Sequence, residues 1–468
     1  MKGIEDILYP LKKHYENSPL FLQSMLGGIY RSIPLKYRVG ESYFEFKNLL
    51  KNNSWDPNFV KNYQNEEFLK TIEVAKKTTF YPRFYKENGC DINDIKSIDD
   101  IQKIPFLEKH HLQEFREEMV NLEEVGKSLY LTTGGSTGTP TGFYYEKGVT
   151  RSKEQAFIED LWAQQGYKNG DKCVVIRGGV ISSDSDSNKF DKYDAIRNWL
   201  IMSSYHLNED TFRKYIERIN QFKSKFIQGY PSALTMLAKF MNANNVKLKV
   251  KIKGIFAGSE NIFPHQIEEI EKAFDAKVMT WYGHTEVLIL GGYCNYDNVY
   301  HMYPQYGATE MIDANGNPVE TGEGELVGTG FHNNVMPLIR FKTGDIAQVS
   351  DKKECSCNKN HIFIARILGR SHEFILSPSN RKISLTAINM HDDVFANIKQ
   401  YQFEQFEKSE VYFRYELVNP VEDINESIIV KALSKKLGND ILLKVEKVAK
   451  IEPTKRGKLK ALIQHINE

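Results

Sequence analysis

The stretch Leu131-Thr132-Thr133-Gly134-Gly135-Ser136-Thr137-Gly138-Thr139-Pro140-Thr141-Gly142 packs four glycines and six hydroxyl residues into twelve positions. It follows directly on the apolar run Leu129-Tyr130-Leu131. Glycine lets the backbone turn tightly and bring its N–H groups close to a ligand. Serine and threonine add hydroxyl donors. A loop with many donors and no negative charge suits an oxygen-rich anion such as a polyphosphate. It lacks GxxxxGK[ST], so it is not a Walker A loop. A flexible Gly/Ser/Thr linker is the plain alternative.

The chain around this loop reads as α/β. Residues from about 40 to 125 read as helical and charged, with Phe68, Ile72 and Ala75 at helical spacing. From about 128 to 290, strand and helix patterns alternate. Ser128–Leu131 leads into the loop, and Cys173–Ile176, Lys225–Ile227, Ile252–Ala257 and Val278–Trp281 are the strands that follow. Helices are expected over 150–165, 208–222, 231–241 and 264–274. Such alternation predicts right-handed βαβ units and a mostly parallel sheet. From about 298 to 368 short strands and turns predict a smaller β subdomain. A compact α+β unit then follows, with strands at 411–415 and 442–448 and a helix at 424–437.

Four further polar clusters follow the loop in order. They are Tyr282-Gly283-His284-Thr285-Glu286, Arg340-Phe341-Lys342-Thr343-Gly344-Asp345, Leu368-Gly369-Arg370 and Pro453-Thr454-Lys455-Arg456-Gly457-Lys458. Taken with the loop, the series resembles the adenylate-forming superfamily of acyl- and aryl-CoA synthetases. The nearest branch is similar to the phenylacetate–CoA ligase-like proteins, including those associated with capsule and surface-polysaccharide gene sets. The resemblance runs from roughly residue 65 to 462.

That resemblance implies activation of a carboxylic acid with MgATP as acyl-AMP, and transfer to a thiol of CoA or a carrier protein, or to an amine. It implies that Thr132, Thr133, Gly134, Gly135, Ser136, Thr137, Gly138 and Thr139 cradle the β- and γ-phosphates. Where most members carry a lysine after the loop's proline, this chain has Thr141. Tyr282 and Gly283 would border the adenine, Thr285 a phosphate, and Glu286 would hold Mg²⁺, which takes one or two carboxylates with phosphate oxygens. For Glu286 the plain reading is a carboxylate at a helix start. Gly258, Ser259 and Glu260 end a strand and match the segment lining the adenine, at the sheet edge where open α/β folds place ligands. Asp345 would accept both ribose hydroxyls, Arg370 would reach the nucleotide, and Lys458 would bridge carboxylate, ribose and α-phosphate. Tyr230, Ala257 and His284 are the candidate walls of the acid pocket, and Arg177 a candidate partner for a second substrate charge. The family pivot commonly carries Asp or Lys where this chain has His372. The implied division is a large part over 1–370 and a mobile cap over 371–468.

Cysteine usage adds a separate candidate. Cys294, His301, Cys355 and Cys357 make a Cys₃His set with His361 in reserve, a donor group that suits structural Zn²⁺. The two halves flank the expected β subdomain. Cys90 and Cys173 read as core residues.

Lys+Arg of 62 against Asp+Glu of 61 gives a net charge of +1, which argues against a large nucleic-acid footprint. No run approaches the ~18 apolar residues of a membrane helix. The apolar-rich segment Phe21–Leu35 is expected to dock on the main body, with contact to a membrane surface as the lesser alternative, because Gly27-Gly28 weakens any long helix. Five cysteines and no secretion pattern point to a reducing cytoplasm. A rival to the enzyme reading is a non-catalytic nucleotide-binding or assembly protein on the same fold.

Overall fold

The computed structural model describes residues 3–8, 11, 14–15, 17–51, 55–132, 142–177, 190–207, 209–359, 361–370, 374–379, 382–388, 398–417, 419, 424–438, 440–454 and 459–466. The chain divides into two compact units, each assembled from two segments: 1–169 with 281–367, and 170–280 with 368–468.

In the first unit the helix Pro57–Lys76 begins where Asp56 accepts the Phe59 N–H and Pro57 takes the first turn. Its buried residues Val60, Phe68, Thr71, Ile72 and Ala75 recur at helical spacing. Phe68, Ile72 and Ala75 pack in one core with Phe80, Tyr81, Leu112, Leu326, Phe341 and Ile364. The strands of that core are Leu290–Cys294, Val299–Met302, Gly307–Ile312, Glu323–Gly330, Phe341–Val349 and Phe363–Arg370. Neighbouring pairs run antiparallel, with Val299 opposite Cys294 and Ile312 opposite Glu325. This is the expected β subdomain.

A polar knot lies inside this unit. The Lys153 side chain is wholly buried, and its Nζ donates to the carbonyls of Tyr306 (2.6 Å) and Phe331 (2.9 Å). Burial pushes the ammonium down to about 7. Next to it Glu154 accepts the Tyr306 hydroxyl, and burial raises that carboxyl above its ordinary range. Arg340, also buried, reaches both Glu310 oxygens and the Ile104 carbonyl, 2.6 Å away. Lys153→Met should therefore leave two buried carbonyls unpaired, at about 1–3 kcal/mol each. The expected result is a lower thermal unfolding midpoint. An unchanged melting curve would remove this lysine from the set of structural residues.

The second unit holds a sheet in the order Val278–Gly283 (residues 278–280 here), Gly254–Ala257, Phe226–Gly229, Cys173–Arg177, Trp199–Ser203 and Asp191–Asp194. All pairs are parallel except the last. The helices Glu209–Phe222, Pro231–Ala243 and Pro264–Phe274 pack with it through Tyr215, Leu234, Leu237 and Ile270. A separate four-stranded sheet follows in the order Leu442–Lys447, Glu410–Leu417, Ile398–Glu407 and Leu462–Gln464, covered by the helix Glu426–Leu437. That helix starts at Asn425, whose side chain accepts the Ser427 N–H, and ends at Gly438 with φ 98°. The fold is thus α/β, with a distinct C-terminal α+β sheet.

Two expectations need correction. Ser128–Thr132 does not enter the parallel sheet; it pairs antiparallel with Gly142–Glu146, Thr132 opposite Gly142, as a two-stranded hairpin. An apolar run that precedes a glycine-rich stretch has the same periodicity in a parallel sheet and in an antiparallel pair. The segment after Pro19 forms a helix, Leu20–Ser32, that runs through Gly27-Gly28. It buries Gln23 and Gly27, whereas Phe21, Met25 and Ile29 are exposed, so its apolar side is not docked on the described body.

Candidate functional site

The clearest convergence in the first unit joins two sequence clusters. Tyr282 lies near the end of the strand Val278–Gly283, and Asp345 lies within Phe341–Val349. The Tyr282 hydroxyl donates to Asp345 Oδ2 at 2.7 Å, and both side chains are buried. Burial, and then the Asp345 charge, hold the phenol far above its ordinary value, so it remains a donor. The Asp345 turn is built locally. Thr343 Oγ1 donates to the Leu326 carbonyl (2.7 Å) and accepts the Asp345 N–H, while the Gly344 N–H reaches Glu325. Gly344 has φ 73°, a conformation that glycine adopts without strain.

Beyond Gly283 the chain turns through His284, Thr285 and Glu286. His284 Nδ1 and Glu286 Oε2 lie 3.1 Å apart, and His284 Nε2 is buried with no partner among the described residues. Glu286 lines a small cleft with Thr150, Phe331, Asn333 and Met336. The Tyr145 hydroxyl donates to the Thr285 carbonyl, tying the hairpin strand that follows the glycine-rich loop to this turn. Glu146 continues the tie by accepting both the N–H and the side-chain amide of Asn334 at 2.9 Å. Tyr145 and Glu146 were not singled out from the sequence. Their one signal is position, immediately downstream of the loop on its own strand.

Of the loop itself, Thr132 is the last residue of the first hairpin strand. Thr133, Gly134, Gly135, Ser136, Thr137, Gly138 and Thr139 lie outside the described residues, as does Thr141. So do His372 and Lys458. Arg370 ends the strand Phe363–Arg370.

In the second unit, Arg177, Gly229 and Ala257 end three neighbouring parallel strands, which gathers Tyr230 and Gly258–Glu260 at one sheet edge. Gly229 is required there, because a Cβ would lie 2.9 Å from the Ile176 carbonyl. Tyr230 stands at the N-terminal boundary of the helix Pro231–Ala243. Ala257 sits in the hydrophobic core. Ser259 takes φ 70°, and Glu260 accepts the Ser232 N–H (3.1 Å) and the Leu459 N–H (3.3 Å). The expected adenine-lining glutamate therefore also binds backbone next to Lys458, a long-range pairing that no local pattern encodes.

The cysteine set converges too. The ligand atoms of Cys294, His301, Cys355 and Cys357 all lie within 4.8 Å of one another. Cys294 Sγ is 3.8 Å from Cys355 Sγ, and Cys357 Sγ is 3.3 Å from both Cys355 Sγ and His301 Nε2. Tetrahedral Zn²⁺ with bonds of about 2.3 Å would set sulfurs about 3.8 Å apart. Cys294 and His301 sit on adjacent antiparallel strands. The turn bearing Cys355 and Cys357 is held by Asp297, which accepts the Ser356 N–H at 2.8 Å and pairs with Lys352. Burial pushes His301 down to about 4, which leaves a neutral imidazole, the form that binds metal. The reserve residue His361 is not among the four. Cys90 and Cys173 are buried, as expected.

No family model matches the chain. Along its length it is 26% identical to the protein CapK of Staphylococcus aureus, over 461 residues covering 97% of this chain and 99% of that protein. Phenylacetate-coenzyme A ligase of Thermus thermophilus is 24% identical over 333 residues, 66% of this chain and 70% of the relative. Among solved structures, 2-hydroxyisobutyryl-CoA ligase in its postadenylation state matches with a TM-score of 0.64 at 18% identity, covering 87% of this chain and 90% of that one. That likeness is one of fold.

Proposed function

We propose that this chain, a relative of CapK and the phenylacetate-CoA ligases with the fold of the adenylate-forming enzymes, is an ATP-dependent ligase that activates a carboxylic acid as acyl-AMP. A carboxylate oxygen attacks the α-phosphorus, the bond from that phosphorus to the bridging oxygen breaks, and pyrophosphate leaves. Both partners are anionic, so the site must neutralise charge and hold them in line. The observation that carries this reading is the Tyr282–Asp345 hydrogen bond, which joins two of the five clusters that suggested nucleotide binding.

In this reading Asp345 takes the ribose hydroxyls and Tyr282 fixes its carboxylate. The glycine-rich loop receives the phosphates through backbone N–H groups and hydroxyls. Glu286, a largely buried carboxylate beside His284, would hold Mg²⁺, whose charge would offset that of the phosphates. Lys458 offsets repulsion between the carboxylate and the α-phosphate. The four Cys and His donors hold a structural Zn²⁺, which would clamp the β strands. The large part is proposed to end near residue 370, with the remainder acting as a cap. The acceptor is a thiol, of CoA or a carrier protein, or an amine. The setting is cytoplasmic, in surface-polysaccharide biosynthesis.

The test is pyrophosphate release with MgATP across aryl, fatty, amino and sugar acids, with and without CoA. Release that requires both the acid and ATP is expected. Lys458→Ala should abolish acyl-AMP formation while leaving ATP binding nearly intact. Wild-type rates in that variant would remove the lysine from the chemistry. Tight ATP binding with no acid-dependent release across the panel would favour a binding protein on an enzyme's fold.

A further inference from the structure

Of the sixteen large apolar side chains exposed among the described residues, nine fall between Ile7 and Tyr37. They concentrate on the helix Leu20–Ser32, which is inverted for a soluble protein. A surface helix ordinarily turns its apolar stripe inward. This one buries Gln23 and Gly27, while Phe21 (74% exposed), Met25 (53%) and Ile29 (57%) form an outward stripe at i, i+4 and i+8, flanked by exposed Leu20 and Leu26. The inward side is already satisfied. The Gln23 side chain donates to the Ser18 carbonyl at 2.6 Å, and the Tyr15 hydroxyl donates to the Gln23 carbonyl at 3.0 Å. A contiguous apolar face of this kind marks an interaction surface.

Charge decides what covers it. Residues 12–38 contain Lys12, Lys13, Arg31, Lys36 and Arg38 against Glu16 alone, in a chain whose net charge is only +1. Arg31 lies in the last turn of the helix, and Lys36 is exposed just beyond it. An apolar stripe bordered by cations matches an anionic lipid surface, where apolar burial and headgroup attraction act together. The helix has 13 residues, and no described helix is long and apolar enough to cross a membrane. Its contact is therefore in the plane of the interface.

We infer that the helix Leu20–Ser32 docks this protein peripherally on anionic membrane surfaces. Phe21, Met25 and Ile29 enter the acyl boundary, and Arg31 and Lys36 face the headgroups.

The test is co-sedimentation of the full chain with vesicles of phosphatidylcholine, alone or mixed with phosphatidylglycerol, at low and high salt. Wild type should partition onto the mixed vesicles and weaken as salt rises. The triple variant Phe21→Ser/Met25→Ser/Ile29→Ser should bind at least tenfold less at an unchanged thermal midpoint, since these side chains leave no core cavity. Arg31→Glu/Lys36→Glu should lose the preference for the anionic mixture. Absence of wild-type binding to the mixed vesicles, or equal binding by the triple variant, would overturn the inference. So would a wild-type dimer that the triple variant converts to monomer in sedimentation, since a second copy would then own the face.

Discussion

Asp345→Ala is expected to reduce ATP affinity by about 10²- to 10⁴-fold, the equivalent of losing two charge-assisted hydrogen bonds of roughly 1.5–3 kcal/mol each. The substitution removes the proposed acceptor of the ribose hydroxyls. It also strands the buried Tyr282 hydroxyl, which now donates to that carboxylate at 2.7 Å. Tyr282→Phe keeps the ring and the carboxylate and removes only the tether, so its loss should be much smaller. Titration calorimetry with MgATP measures both variants, and thermal unfolding checks that both are folded. Affinity in Asp345→Ala within twofold of wild type would show that the nucleotide is held elsewhere.

Removing the proposed zinc should have the other large effect, on stability rather than affinity. Structural zinc sites contribute roughly 10–16 kcal/mol of apparent binding energy in isolated small modules. Here a bound ion would tie the Leu290–Cys294 and Val299–Met302 strands to the turn containing Cys355 and Cys357, whose donor atoms already lie together. Elemental analysis should find zinc at one per chain, and Cys355→Ser should lower it. A strong chelator should drop the unfolding midpoint by many degrees, with recovery on adding Zn²⁺. A metal-free preparation that melts where the wild type does would sink the site.

The sequence was most legible where the pattern is local. The helix with Phe68, Ile72 and Ala75 inward, the parallel strands and the C-terminal α+β unit follow from periodicity. The Cys₃His set was legible because thiols and imidazole are rare and their chemistry is narrow. What stayed hidden depends on contacts between distant residues. Lys153 looks like any helical lysine until the carbonyls of Tyr306 and Phe331 are placed around its ammonium. Glu260 reads as a loop carboxylate until Leu459 arrives beside it. The hairpin made by Ser128–Thr132 was missed because an apolar run before a glycine loop looks the same in either topology. The Leu20–Ser32 helix was misjudged because apolar content does not say which face turns inward.

The interleaving of the two units bears on how the chain is born. The first unit is begun by residues 1–169 and completed only by 281–367, with the second unit's opening segment made in between. Phe68, Phe80 and Leu112 share one core with Leu326, Phe341 and Ile364, so the early helices leave the ribosome without the strands that will cover them. Lys153 likewise waits for Tyr306 and Phe331. A nascent chain with such late-closing contacts folds slowly and exposes apolar surface while it waits. Production of this protein should therefore respond to chaperone supply and to slowed translation more strongly than the stability of the finished molecule would suggest.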